Sequence, residues 1–121
     1  MDRRRFERLV ERAMGRLPAR FRDSLRNVAV VVEDWPRPEH LDEAGAEDKR
    51  DLLGLYLGVP LTERFDYNMA LPDRILIFQK PIEAACASDD EVVEEVRITV
   101  LHEVAHHFGM DDAELERLGL D

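Results

Sequence analysis

The chain has 121 residues, of which 45% are hydrophobic and 36% charged, and its formal net charge is −10. This length predicts one domain, residues 1–121, and the acidic balance argues against nucleic acid or an anionic membrane as a partner. No run approaches the roughly 20 apolar residues of a membrane span, and the N-terminus lacks the apolar segment of a secretory signal. Cys86 is the only cysteine, so no intrachain disulfide is expected, and a reducing, cytoplasmic location fits.

The N-terminal segment predicts a helix. Apolar residues recur at helical spacing between positions 6 and 17, which indicates an amphipathic helix over about residues 2–16. A short helical turn is expected near residues 21–25. The first helix also holds a group of arginines: Arg3, Arg4, Arg5, Arg8, Arg12 and Arg16. They form either a solvated helix face or a weak anion-binding patch, and their helical spacing favours the first.

Three hydrophobic runs predict the strands of a small sheet. Residues 28–32 are mostly β-branched, and residues 52–57 and 74–79 are the other two runs. Residues 34–50 contain two prolines and a glycine and show no period, so they predict a loop that is either mobile or a flap over a site. A connection is expected at residues 60–66.

A long, largely buried helix is predicted over residues 88–108. Ser88 and Glu91 have the spacing of a capping box at its start, and Gly109 suits a left-handed turn at its end. At about 100° per residue, the valines of this segment form a broad apolar arc together with Leu101 and Phe108. The remaining polar stripe carries Glu95, Thr99, His102, Glu103 and His106. An ordinary surface helix would show the reverse balance.

The segment His102-Glu103-Val104-Ala105-His106 is the most informative motif. Residues four apart share one face of a helix, so His102 and His106 can both reach a single ion. Zinc takes imidazole and carboxylate ligands, and a catalytic zinc site keeps three protein ligands and a water. Glu103 lies beside the two histidines, where it can act as general base on that water. The motif favours a zinc-dependent hydrolase that cleaves peptide bonds.

The third ligand must come from outside the helix. A chain reversal at Gly109 can bring Asp112 back towards the ion, while Asp111 and Glu114 have capping-box spacing for a C-terminal helix over residues 113–120. We therefore predict Asp112 as the third ligand, with Glu114 and Glu116 as lesser candidates. The competing interpretation of the motif is two histidines that are hydrogen-bonded in a core.

Four other side chains are candidates with weaker signals. His107 projects away from the ligand stripe and is expected to be packed or hydrogen-bonded. His40 is expected at the surface, unless its loop closes over the metal. Tyr56 and Tyr67 could each supply a phenol that stabilises an oxyanion, although packing on a strand and a place on a loop surface are the simpler roles.

Residues 102–112 resemble the corresponding segment of the small bacterial zincin-like proteins, or minimal zincins, a family of zinc metallopeptidases. The resemblance extends to residues 54–64 and 70–75. It implies an α+β fold, in which a small twisted, mostly antiparallel sheet of three to four strands packs on an N-terminal helix and a long active-site helix. It also implies one Zn²⁺ per chain, with His102, His106 and Asp112 as its ligands and Glu103 as the base.

Among larger zincins, the metzincins have a third histidine where Asp112 stands and a Met-turn further on, but only nine residues follow Asp112. Half of the usual substrate cleft is then missing. The expected substrates are short or unfolded peptides that add a strand to an exposed sheet edge, and a second copy or a partner chain could complete the cleft. Two alternatives stay open, namely a zinc-binding module without turnover and a metal-dependent amidase that acts on a non-peptide substrate.

Overall fold

The computed structural model describes residues 1–58 and 72–117, apart from the side chain of Asp112. The predictions for Tyr67 and for residues 60–66 lie outside the described residues. The described helices and strands are α1 (Arg3–Gly15), α2 (Ala19–Ser24), β1 (Val28–Glu33), α3 (Pro38–Ala44), β2 (Gly54–Leu57), β3 (Asp73–Phe78), α4 (Gln79–Ala85), α5 (Asp89–His107) and α6 (Asp112–Arg117). A single 3₁₀ turn, Lys49–Asp51, precedes β2.

The described strands form one sheet in the order β1-β3-β2. Val30 of β1 lies opposite Ile75 in a parallel pair, and Leu55 of β2 lies opposite Leu76 in an antiparallel pair. The predicted α+β fold is confirmed, but the described sheet is mixed rather than mostly antiparallel. Parallel neighbours need a crossover of a dozen or more residues, and the chain between β1 and β3 is long enough to supply it.

The two faces of the sheet bury two separate apolar clusters, because side chains alternate along a strand. On one face, Ile75 and Ile77 join the main core with residues of α1 and α5, and Phe6 and Val96 there are fully buried. On the other face, Leu76 forms a smaller cluster with Leu55 and Phe78. The site elements described below belong to the first face.

Ion pairs and hydrogen bonds fasten α1 to the rest of the fold. The Arg3 guanidinium donates to the Val32 carbonyl (2.8 Å) and to the side chain of the buried Gln79 (2.8 Å). The same guanidinium also forms an ion pair with Asp34, at 2.6 Å. Two more arginines pair with the first turn of α5, in the pairs Arg5–Asp89 (2.7 Å) and Arg12–Asp90 (3.7 Å). This pairing supports the solvated-face interpretation of the basic cluster.

The expected loop at residues 34–50 was wrong, because this segment contains α3 and the 3₁₀ turn. Pro38 occupies the start of α3, and Gly45 ends it with a φ of 68°. At seven residues, α3 is too short to show a hydrophobic period. Helix α4 was also not predicted, since proline commonly breaks helices and Pro81 lies within it. Pro81 is tolerated because it falls in the first turn, where the N–H that proline lacks would have no intrahelical partner.

Helix α5 has the predicted ends and the predicted burial. The Ser88 hydroxyl accepts the N–H of Glu91 (3.2 Å), and Gly109 has a φ of 80°. Its buried side chains are Val92, Val93, Val96, Val100, Leu101, Val104 and Ala105. Phe108 is an exception to the predicted apolar arc, because it follows the last turn and is 59% exposed. None of the described helices is both long and apolar enough to cross a membrane.

Gly54 allows β2 to lie very close to α5. A Cβ atom built on Gly54 would stand 2.6 Å from the Cγ2 atom of Thr99 and 3.1 Å from the carbonyl oxygen of Leu76. Real Cβ contacts are longer, so any other residue here would push the strand and the helix apart.

We expect Gly54→Ala to lower the free energy of unfolding by about 1–3 kcal/mol, because the added methyl group overpacks this contact. Urea unfolding measures the change. Thr99→Ser removes the clashing methyl group and should recover part of the loss in the double variant. Gly15→Ala is the control, since nothing lies within 4 Å of a Cβ there. Equal stability of Gly54→Ala and the parent protein would contradict the close approach.

Candidate metal centre

The two histidines of the motif lie one turn apart on α5 and face the same side. Their ring centroids are 6.2 Å apart, and the ring planes differ by 22°. His102 is half-buried and His106 is exposed, so the pair stands where the buried helix reaches the surface. Two imidazole nitrogens from adjacent turns are ligands that zinc accepts.

The described side chains include these two candidate ligands but no complete metal site. Among them, no group of three histidine, cysteine or acidic side chains could hold a metal ion. Asp112 is the first residue of α6, and its side chain is not among those described. The Asp111 carboxylate accepts the Glu114 N–H (2.8 Å), so Asp111 caps α6 as the spacing predicted. Capping of α6 therefore does not require the carboxylate of Asp112.

Glu103 is half-buried and is held by the backbone of β2. Its Oε1 atom accepts the N–H of Tyr56 at 3.0 Å. The Phe78 N–H donates to the Leu53 carbonyl, and hydrogen-bonded pairs alternate along an antiparallel ladder. Leu55 therefore turns its backbone polar groups to β3, and Tyr56 turns its own away from β3. Within the described sheet, the candidate base thus sits on the side of β2 that does not face β3, with one carboxylate oxygen fixed.

One stripe of α5 follows β2 along its length. Thr99, Glu103 and His107 are spaced four apart and so share a helix face. Thr99 meets Gly54, and Glu103 meets the Tyr56 N–H. The His107 ring stacks on the Tyr56 ring with a centroid distance of 3.9 Å. We call this set of contacts the β2–α5 seam. It sets the distance between the edge strand and the helix that carries His102 and His106.

A second polar group adjoins the seam. The Tyr56 hydroxyl donates to Oδ2 of Asp73 (2.7 Å), and the Nε2 atom of His107 lies 4.0 Å from the same oxygen. His107 is exposed and its ring stacks on Tyr56 near this carboxylate, on the helix face of Thr99 and Glu103 rather than away from that polar stripe as predicted. Asp73 was not predicted as a site residue, because no local pattern marks it. His40 packs against Phe78 on the other sheet face, with ring centroids 5.5 Å apart, so the structure does not bring it to α5.

An α+β fold in which a His-Glu-x-x-His helix lies against an edge strand defines a zincin-like protein. In agreement, the sequence model of the zincin-like metallopeptidase family matches residues 25–120. The chain belongs to this family. No curated protein matches the chain significantly.

Cys86 lies outside this arrangement, at the end of α4, and is half-buried. Burial raises the pKa of its thiol above the usual value, and the nearby carboxylates of Glu95 and Glu91 raise it further. A raised pKa leaves little thiolate at neutral pH. The cysteine is therefore unsuited to act as a nucleophile.

We expect Cys86 to react slowly with iodoacetamide at pH 8, and its rate to rise with a midpoint above the ordinary thiol pKa of about 8.5. The pH dependence of the alkylation rate measures this midpoint. In the Glu95→Gln variant, the midpoint should fall, because one repelling charge is gone. The unfolded chain in urea is the control, with an ordinary midpoint. Fast alkylation of the folded protein at pH 7 would contradict the raised pKa.

Proposed function

We propose that this protein is a zinc-dependent peptidase in which Glu103 is the general base. The observation that carries the proposal is the position of Glu103. It lies on the helix stripe that adjoins the His102 and His106 pair, and a strand N–H holds one of its oxygens at 3.0 Å. A base must be fixed within reach of the proton that it removes. Membership of a metallopeptidase family supports the same reaction.

In this proposal, His102, His106 and Asp112 hold the zinc ion. Zinc, when bound, polarises the scissile carbonyl and lowers the pKa of a water to near 7. The Glu103 carboxylate takes a proton from the attacking water through the oxygen that Tyr56 does not bind. It then passes this proton to the leaving amine. The hydrogen bond from Tyr56 keeps the carboxylate from rotating away from the reacting atoms.

The edge of β2 supports peptides as substrates. An extended peptide can pair with the outward backbone groups of a strand, and its side chains then alternate between the two faces. Glu103 already accepts the N–H of Tyr56. The peptide would therefore pair with β2 at other outward backbone groups of the strand. Short or unfolded peptides meet this requirement because their backbones are not already paired.

A second candidate function is a zinc-binding module without turnover. The same hydrogen bond favours it, because the bond gives Glu103 a structural task in holding β2 to α5. The presence of a glutamate in the motif is therefore explained by either function. Substitutions that keep the hydrogen bond but remove the basicity separate the two.

We expect about one zinc per chain in the purified protein and loss of this zinc in His106→Ala, because one of two neighbouring ligands is gone. Elemental analysis after dialysis measures the ratio. Asp112→Ala should bind zinc more weakly if this residue is the third ligand. His40→Ala is the matched control, since it also removes an imidazole but on the other sheet face. Zinc retained by His106→Ala, or lost equally in the control, would contradict the site.

We expect Glu103→Gln to lower peptide hydrolysis by about 10²–10⁴-fold, the usual contribution of a general base. Zinc content and the urea midpoint should stay unchanged, because the glutamine oxygen can still accept the Tyr56 N–H. Glu103→Ala removes the acceptor and should also lower the midpoint. The assay follows cleavage of an unstructured peptide library by mass spectrometry. Full activity in pure Glu103→Gln would exclude the mechanism, and no cleavage by zinc-loaded parent protein would favour the module.

A further inference from the structure

We propose that Tyr56 and Asp73 are positioning residues for Glu103. Asp73 holds the phenol of Tyr56, His107 holds the face of its ring, and the backbone N–H of the same tyrosine then fixes the Glu103 carboxylate. The functional value of this arrangement rests on the proposed role of Glu103 as a base. The arrangement itself can be tested without any measurement of turnover.

Little of β2 is available to hold Glu103. The strand has four residues, and β3 lies on one side of it. Leu55 and Leu57 direct their backbone groups to β3, so the β3 ladder does not fix the outward N–H of Tyr56 directly. A short strand at a sheet edge can twist about its own axis, and such a twist would change the direction of this N–H.

The side chain of Tyr56 opposes that twist from two directions. Its hydroxyl donates to Asp73 at 2.7 Å, and Asp73 is the first residue of β3. Its ring stacks on His107 at 3.9 Å, with an angle of 22° between the planes. One residue is thereby tied to the central strand through its phenol and to α5 through its ring. With both ends of the side chain held, the backbone N–H has one direction, and it points at Glu103.

Groups that orient a functional side chain from outside typically change function by about 10–100-fold when removed. A displacement of about 1 Å at a catalytic group lowers activity by a similar factor. Loss of the phenol should therefore reduce kcat and leave KM nearly unchanged, because neither residue is proposed to contact substrate.

Amide hydrogen exchange, followed by NMR on the full chain, tests the positioning directly. In Tyr56→Phe, which keeps the ring, and in Asp73→Ala, we expect exchange at the amide of residue 56 to become about tenfold faster, as a lost hydrogen bond of ordinary strength implies. The amide of Leu55 pairs with β3 and should change by less than about twofold. Asp73→Asn keeps an acceptor oxygen, so exchange at Tyr56 should stay slow in this variant.

Asp34→Asn is the charge-matched control, since it also removes one carboxylate but from the exposed ion pair with Arg3. It should leave both exchange rates unchanged. Unchanged exchange at residue 56 in Tyr56→Phe would overturn the proposal. Equal acceleration at residues 55 and 56 would also overturn it, because it would indicate a general loss of structure.

The kinetic readout separates this proposal from the peptidase proposal. In an active protein, Tyr56→Phe should lower kcat by about 10–100-fold with little change in KM. The separate variant Asp73→Asn should keep most of the activity of the parent protein. A change confined to KM would overturn the positioning role. If the zinc-loaded parent protein cleaves nothing, the peptidase proposal fails, and the exchange rates alone decide whether Tyr56 and Asp73 hold Glu103.

Discussion

The approach of β2 to α5 is the constraint on which the site depends. Gly54 permits the approach, since a side chain there would meet Thr99 and the Leu76 carbonyl. One turn further along the helix, the same proximity lets the Tyr56 N–H reach Glu103 at 3.0 Å. The His102 and His106 pair lies on the adjoining stripe of the same helix, so its position relative to the strand is set by this packing as well. A contact between a glycine and a threonine methyl group thus has consequences at the candidate metal centre.

Much of this could be predicted from the sequence, because the features are local or periodic. The α5 helix was predicted from the Ser88 cap, the valine arc and Gly109. Each of these signals depends on residues within a few positions of one another. Strands β1 and β3 are short apolar runs in the sequence, which is the pattern typical of a buried strand. The two imidazoles follow from their spacing of four residues, and Asp111 as the cap of α6 follows from its spacing to Glu114.

The features that the sequence did not predict are short elements or contacts between distant parts of the chain. Helix α3 has seven residues, fewer than a period needs, and its proline and glycine resemble those of a loop. The mixed sheet depends on which strands become neighbours, and strand pattern does not specify partners. Tyr56 and Glu103 are 47 positions apart, and Tyr56 and Asp73 are 17 apart, so no local motif records either hydrogen bond. Each becomes visible only when the strands and α5 are placed together.

The carboxylate of Glu103 has one more consequence, which concerns solubility. A strand at a sheet edge offers backbone donors to any other chain, and proteins commonly protect such edges with charged groups. At Tyr56, the donor is already bonded to a carboxylate, so an approaching carbonyl would meet an occupied group and a negative charge. Glu103 therefore discourages unwanted strand addition at the same place where a peptide substrate would have to lie. Natural selection could maintain this glutamate for protection against aggregation as well as for chemistry, and its occurrence in a sequence does not by itself measure turnover.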